Sequence, residues 1–149
     1  MNAEVTREEI RFYYEYETHG ELSNYYPSTI ALKDKLWKTV EHYYQAQKFA
    51  GLPHEELIRC SDTPDDAKRM GNDTNLPIRS DWEEVKADVM RTALRAKFTQ
   101  NEHLREKLIA TGDAVLIENS QKDYYWGIGK DDTGINMLGN LLMELREEL

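Results

Sequence analysis

Thr39-Val40-Glu41-His42-Tyr43-Tyr44-Gln45-Ala46-Gln47-Lys48-Phe49 reads as a helix, and its polar positions say more than its apolar ones. Thr39 suits the N-cap, because its hydroxyl accepts an N–H of the first turn, and Gly51 supplies the stop. Glu41, Gln45 and Lys48 recur at helical spacing and share one narrow face. His42, Tyr43, Ala46 and Phe49 fall on the other side. A carboxylate, an amide and an amine in line on a ring-flanked helix have two readings. They are a solvated stripe of i,i+3 and i,i+4 pairs, or they hold a polar substrate and do acid–base or amine chemistry on it.

The neighbouring segments are also helical and well punctuated. Pro53 is placed to be the first residue of a second helix, to about Arg59. Thr63-Pro64-Asp65-Asp66 opens a third, with a cap, a proline and two acids that suit the helix dipole, and Gly71 closes it. Ser80 or Asp81 caps the longest, Trp82 to about Phe98, and Asn101 caps another through Leu108. A last helix starts near Asn136 and buries Met137, Leu138, Leu141, Leu142, Leu145 and Leu149. Strand signals are fewer. Ile10 to Tyr16 is aromatic-rich, Thr29 to Trp37 reads as a hairpin turning at Lys33-Asp34-Lys35, and Ala114 to Glu118 is short and apolar. The fold class is mainly α, an α+β chain with a small antiparallel sheet, expected as one compact domain over residues 1–149.

Charge and cysteine content narrow the function. The chain has 19 Lys and Arg against 28 Asp and Glu, a net charge of −9, which argues against non-specific binding of nucleic acid. The acids crowd the ends: Glu4, Glu8, Glu9, Glu15 and Glu17, then Glu144, Glu147 and Glu148. From Lys86 to Lys107 six basic residues face three acidic ones, so an anionic ligand would look to the middle of the chain. Cys60 is the only cysteine, so no internal disulfide forms and no cysteine-based metal site exists. It reads as structural or incidental. His19, His42, His54 and His103 lack metal-ligand spacing, no metal or cofactor is expected, and activity should survive a chelator. No apolar run is long enough to span a membrane and no signal-peptide pattern appears, so an intracellular, cytoplasmic protein is the expectation.

Other residues sit where packing alone explains them poorly. Lys97, and with it Lys86, falls on the apolar face of the longest helix. Such a lysine either snorkels to solvent or, if held in an apolar pocket, becomes a nucleophilic amine. The loop Glu118-x4-Asp123-Tyr124-Tyr125-Trp126-Gly127-Ile128-Gly129 sets two carboxylates near a large ring and two glycines. It is either a tight turn around a core tryptophan or a ligand loop, in which Gly127 and Gly129 admit the backbone and Trp126 stacks on a base or sugar. A Gly-x-Gly without the βαβ context is not a dinucleotide fold. Asn136 is an N-cap, or its amide and the helix N-terminus meet a phosphate or ribose hydroxyl.

Taken together, these residues resemble the NADAR, or YbiA-like, family. The matching segments are Leu22-Ser23-Asn24-Tyr25, Thr39 to Phe49, Ala67-Lys68-Arg69-Met70-Gly71, Arg79-x-Asp81-Trp82 and Met90-x6-Lys97-Phe98. They continue through Leu108-x2-Thr111, Asp123-x2-Trp126-Gly127-x-Gly129 and Gly134-x-Asn136-x2-Gly139-x2-Leu142-Met143-x2-Arg146. The likeness runs from about residue 10 to 149, and it lies in shared order and spacing. In the first segment the family usually carries Phe where Leu22 and Tyr25 stand, a change that keeps apolar or aromatic character.

The resemblance implies a small, mainly helical N-glycosidase that binds a ribosyl nucleotide. Some members of the family cleave the C–N bond of phosphoribosylated aminopyrimidine intermediates of riboflavin synthesis, and others remove ADP-ribose from guanine in DNA. Breaking such a bond builds oxocarbenium-like charge on C1, which a carboxylate stabilises. Glu41 and Asp123 are the candidates. The resemblance places a functional lysine at Lys48, with a Schiff base to C1 as one route. Tyr44 and Trp126 are assigned to stacking and Gln45 to hydroxyls. Lys97, Asn136 and Arg69 are assigned to phosphate, and Asn24, Gly127 and Gly129 complete the expected binding set. The first expectation is removal of ADP-ribose from ADP-ribosylated guanine in DNA, with a basic rim from Lys33, Lys35, Lys38 and the Lys86–Lys107 segment. The alternatives are the riboflavin intermediate, which the net charge favours, and a non-catalytic ADP-ribose-binding module.

Overall fold

The computed structural model describes residues 7–149, so Glu4 of the N-terminal acids lies outside it. The elements in chain order are β1 (Glu9–Phe12), a 3-10 turn (Gly20–Leu22), β2 (Ile30–Leu32), β3 (Lys35–Trp37), α1 (Val40–Gln47), α2 (Pro53–Arg59), α3 (Pro64–Gly71), α4 (Trp82–Gln100), α5 (Glu102–Ala110), β4 (Val115–Glu118) and α6 (Met137–Glu148). The mainly helical class expected from sequence is what forms. The chain divides into two compact units, Asn24–Glu102 and the chain up to Ser23 together with His103–Leu149.

In the unit Asn24–Glu102, α1 packs against α2, α3 and α4. All eight of its residues are buried, polar ones included. Thr39 caps it, accepting from His42 N at 3.1 Å, and the His42 ring bridges Thr39 Oγ1 and Ser61 O. Burial lowers the His42 pKa, which keeps this ring neutral and structural. Pro53 and Pro64 open α2 and α3 as expected, and Thr63 caps α3 through Asp66 N. Asp81 occupies the N-cap position of α4 but does not cap it, because Arg79 holds its carboxylate at 2.6 and 2.9 Å. Asn101 donates back to Lys97 O at 2.9 Å, so its side chain closes α4 where it was expected to open α5. The β2–β3 hairpin is antiparallel, with Ile30 opposite Trp37, and turns through Lys33 and Asp34 at positive φ. The Gln100 amide exchanges two hydrogen bonds with Ala31 and so covers the outer edge of β2.

In the other unit, β1 pairs with β4 in parallel, Glu9 opposite Val115 through Phe12 opposite Glu118. This pair is an addition to the expected antiparallel sheet. The strand expected over 10–16 stops at Phe12, where its partner strand ends, and Tyr13, Tyr14 and Tyr16 are exposed beyond it. The tail α6 lies on β4 so closely that a Cβ on Gly139 would fall 2.0 Å from Leu116 O. Leu138, Leu141, Leu142 and Leu145 are buried as expected, with Met137 and Leu149 at the margin. Arg146 ties α6 to Thr111 Oγ1 and Ala114 O at 2.9 Å each.

Candidate active site

The polar stripe of α1 is buried, with Glu41 7 %, Gln45 3 % and Lys48 6 % exposed, which a solvated charge pattern would not be. Glu41 and Gln45 sit on the helix, and Lys48 is its C-cap, still in the right-handed helical conformation. Gln45 Nε2 donates to Glu41 Oε1 at 2.8 Å. That bond orients the amide, since only its NH₂ can donate a hydrogen bond to a carboxylate. Gln45 Oε1 is left buried without a hydrogen-bond donor among the described residues. Gly71 explains how it is covered, because a Cβ there would stand 2.0 Å from that oxygen. Only glycine lets the end of α3 press onto α1 at this point.

The amine of Lys48 reaches the same place. Its Nζ donates to Gly71 O at 3.2 Å and to Asn72 Oδ1 at 3.1 Å, and lies 5.9 Å from the centre of the Tyr44 ring. Tyr44 in turn meets Trp82, ring centres 5.1 Å apart and tilted by 51°. Arg79 N donates to Lys48 O at 3.0 Å and anchors the backbone. Burial lowers the Lys48 pKa, Glu41 opposes the shift, Lys86 adds to it, Glu83 opposes it and Lys68 adds to it. An amine whose proton leaves more readily than usual is a better nucleophile near neutral pH.

Other expected site residues lie around or away from this cluster. Asn24 O accepts from Glu41 N, while Asn24 Nδ2 points at Met90 Sδ at 3.6 Å and its Oδ1 is a second buried acceptor without a donor. Lys97 does not snorkel: it is fully buried, 5.7 Å from the Tyr26 ring centre and 5.1 Å from that of Phe98. Arg69 is on the surface, paired with Asp66 at 3.0 Å. Three contributors to the site were not singled out from sequence: Asn72, Trp82 as the ring over Tyr44, and Gly71 as a contact on Gln45 and Lys48. Gly71 carried no separate signal, because a helix stop alone explains a glycine at that place.

In the loop after β4, in the other unit, the Asp123 and Asn136 side chains turn onto nearby backbone. Asp123 Oδ1 accepts from Tyr125 N at 2.9 Å and Trp126 N at 2.7 Å. Asn136 is buried, accepts from Glu118 N at 2.9 Å and donates to Leu116 O at 2.8 Å. The first N–H groups of α6, on Met137 and Leu138, donate to Tyr125 O and Trp126 O. Gly127 packs on Ser120, and Gly129, at φ 75°, lies under the Tyr124 ring. Trp126 is half-buried with its ring edge-on to Tyr125 at 4.8 Å.

With this geometry in place, comparison with known proteins identifies the class. Residues 11–149 match the NADAR domain family. The N-glycosidase YbiA of Escherichia coli is 49% identical over 140 residues, covering 94% of this chain and 88% of that protein. The solution NMR structure of the E. coli protein YbiA superposes with a TM-score of 0.87 at 47% identity, covering 97% of this chain and 86% of that one. A Vibrio vulnificus protein named for riboflavin biosynthesis is 40% identical over the whole of this chain, which spans 41% of it. The chain belongs to the NADAR domain family, and it is an enzyme, a hydrolase of the N-glycosidase class. No helix among the described residues is long and apolar enough to cross a membrane.

Proposed function

We propose that this enzyme hydrolyses the C1–N bond between a phosphorylated ribose and a base-like amine, with Lys48 as the nucleophile and Glu41 as the carboxylate beside it. The observation that carries the reading is the buried Lys48 amine, its pKa lowered by burial and its Nζ held by neutral oxygens of Gly71 and Asn72. In this scheme the neutral amine attacks C1 and the C1–N bond breaks, the base keeping the bonding pair and taking the proton that Nζ gives up. The bond from C1 to the ring oxygen then breaks, the second Nζ proton passes to that oxygen, and a Schiff base joins Nζ to C1. Water then adds to the imine carbon and expels the amine, which returns Lys48 and frees the sugar. Glu41 stabilises positive charge at C1 and Gln45 receives the sugar hydroxyls. Tyr44, packed on Trp82, supplies the aromatic wall. The roles that the resemblance gives Asp123 and Asn136 in the other unit are tested by separate substitutions.

For the substrate, a free phosphoribosylaminopyrimidine is the reading the charges favour. Five of the basic residues expected to form a rim for DNA are engaged with groups of their own chain. Lys33 pairs with Glu55, Lys35 with Glu56, Lys38 with Ser61 O, Lys86 with Glu83 and Arg91 with Asp88. The net charge of −9 points the same way, as does the riboflavin name carried by the Vibrio relative. ADP-ribosylated guanine in DNA is the second reading, since the same amine would act on its C1–N bond. The deciding experiment offers both substrates in parallel and follows released sugar by mass spectrometry. Release from the pyrimidine alone supports the metabolic reading. Release from DNA at a comparable or higher kcat/KM overturns it.

A further inference from the structure

Lys48 Nζ has two acceptors at the end of α3, Gly71 O at 3.2 Å and Asn72 Oδ1 at 3.1 Å. A protonated lysine carries three N–H bonds and no lone pair. A neutral one carries two N–H bonds and one lone pair around a tetrahedral nitrogen. Two acceptors therefore take both hydrogens of the neutral amine, the bond to Cε takes a third direction, and the lone pair has a single direction left. Both acceptors are uncharged, so they hold the amine without retaining its extra proton, as a carboxylate in their place would.

We propose that Asn72, acting with the Gly71 carbonyl, is a positioning residue that aims the Lys48 lone pair at the carbon it attacks. This rests on Lys48 as the nucleophile. Orientation of this kind lowers the barrier because the reacting pair need not find its alignment after binding. Asn72 is suited to the part. Its backbone closes α3, N–H to Lys68 O and Met70 O, and does not depend on the side chain. The residue is exposed, so its amide is not a packing element. The charged groups acting on Lys48 are Glu41 and Glu83, which favour its proton, and Lys86 and Lys68, which oppose it.

The test compares wild type, Asn72→Ala and Asn72→Asp on a phosphoribosylaminopyrimidine, with kcat and KM followed across pH and borohydride used to trap any imine. Asn72→Ala is expected to lower kcat about ten- to a hundredfold with KM and melting temperature little changed. Asn72→Asp keeps an acceptor but adds a charge near Nζ. Its acid limb should move up by about one to three pH units, with kcat recovering above it. A wild-type kcat in Asn72→Ala, a loss confined to KM, or an unmoved limb in Asn72→Asp overturns the positioning role. The underlying reading fails differently, by the absence of a trapped adduct on Lys48 in wild type or by normal turnover in Lys48→Ala, and then the positioning role falls with it.

Discussion

Two segments of this chain look alike as strings of chemistry-bearing residues, and the structure treats them in opposite ways. Along the stripe of α1 and the end of α3, polar side chains also meet one another. Gln45 donates a hydrogen bond to Glu41, Lys48 leans on Asn72, and an amide oxygen is left without a donor. At Asp123 and Asn136, in and after the loop that follows β4, side chains meet backbone. Asp123 collects two N–H groups, and the Asn136 amide joins Glu118 N to Leu116 O. Polar groups that satisfy nearby backbone are what a turn needs to be stable. Polar groups buried against one another with valence to spare are costly unless something else uses them. On the proposed mechanism, the difference separates the region that does the chemistry from one that first holds a shape.

Substitutions test this contrast, and the largest effect is expected at Lys48. Lys48→Ala should abolish turnover while the melting temperature stays near wild type; normal turnover would end the amine reading. Glu41→Gln should lower kcat about 10²- to 10⁴-fold. Its acid limb should also move. The neutral amine is the reactive form and Glu41 favours the proton on Lys48, so removing the carboxylate charge brings the limb to lower pH. A limb that moves upward contradicts this coupling. Gly71→Ala places a methyl against Gln45 and should cost about a hundredfold in kcat through displacement of the stripe.

The loop should answer to different measurements. Asn136→Ala leaves a buried N–H and a buried carbonyl unpaired, so it should cost about 2–3 kcal/mol of stability, read by denaturant unfolding. Asp123→Asn keeps the acceptor for both N–H groups and removes only the charge. It should leave stability intact and lower the rate by less than about tenfold. A loss as large as that of Glu41→Gln would promote Asp123 to an equal partner in the chemistry and remove the contrast between the two regions.

Much of the fold was legible because its signals are local. Thr39, Pro53, Thr63 and Pro64 open helices where short-range capping rules put them. Asn101 was misplaced, because the amide that opens one helix serves equally well to close the one before it. The parallel pairing of β1 with β4 was not legible, since it joins segments far apart in the chain and no local turn announces it. For the candidate site, residue types and spacing selected Glu41, Gln45 and Lys48. They could not decide between a solvated stripe and a buried one. That depended on α2, α3 and α4 closing around α1. Asn72 was hidden for the same reason, since nothing in a helix stop says which lysine it will face.

The most direct test of the account is to run wild-type enzyme on a phosphoribosylaminopyrimidine with borohydride present and to map the modified peptide by mass spectrometry. The account predicts a reduced sugar-phosphate adduct on Lys48 and no turnover in Lys48→Ala. Steady release of the sugar phosphate with no adduct, and the same rate in Lys48→Ala, would contradict it.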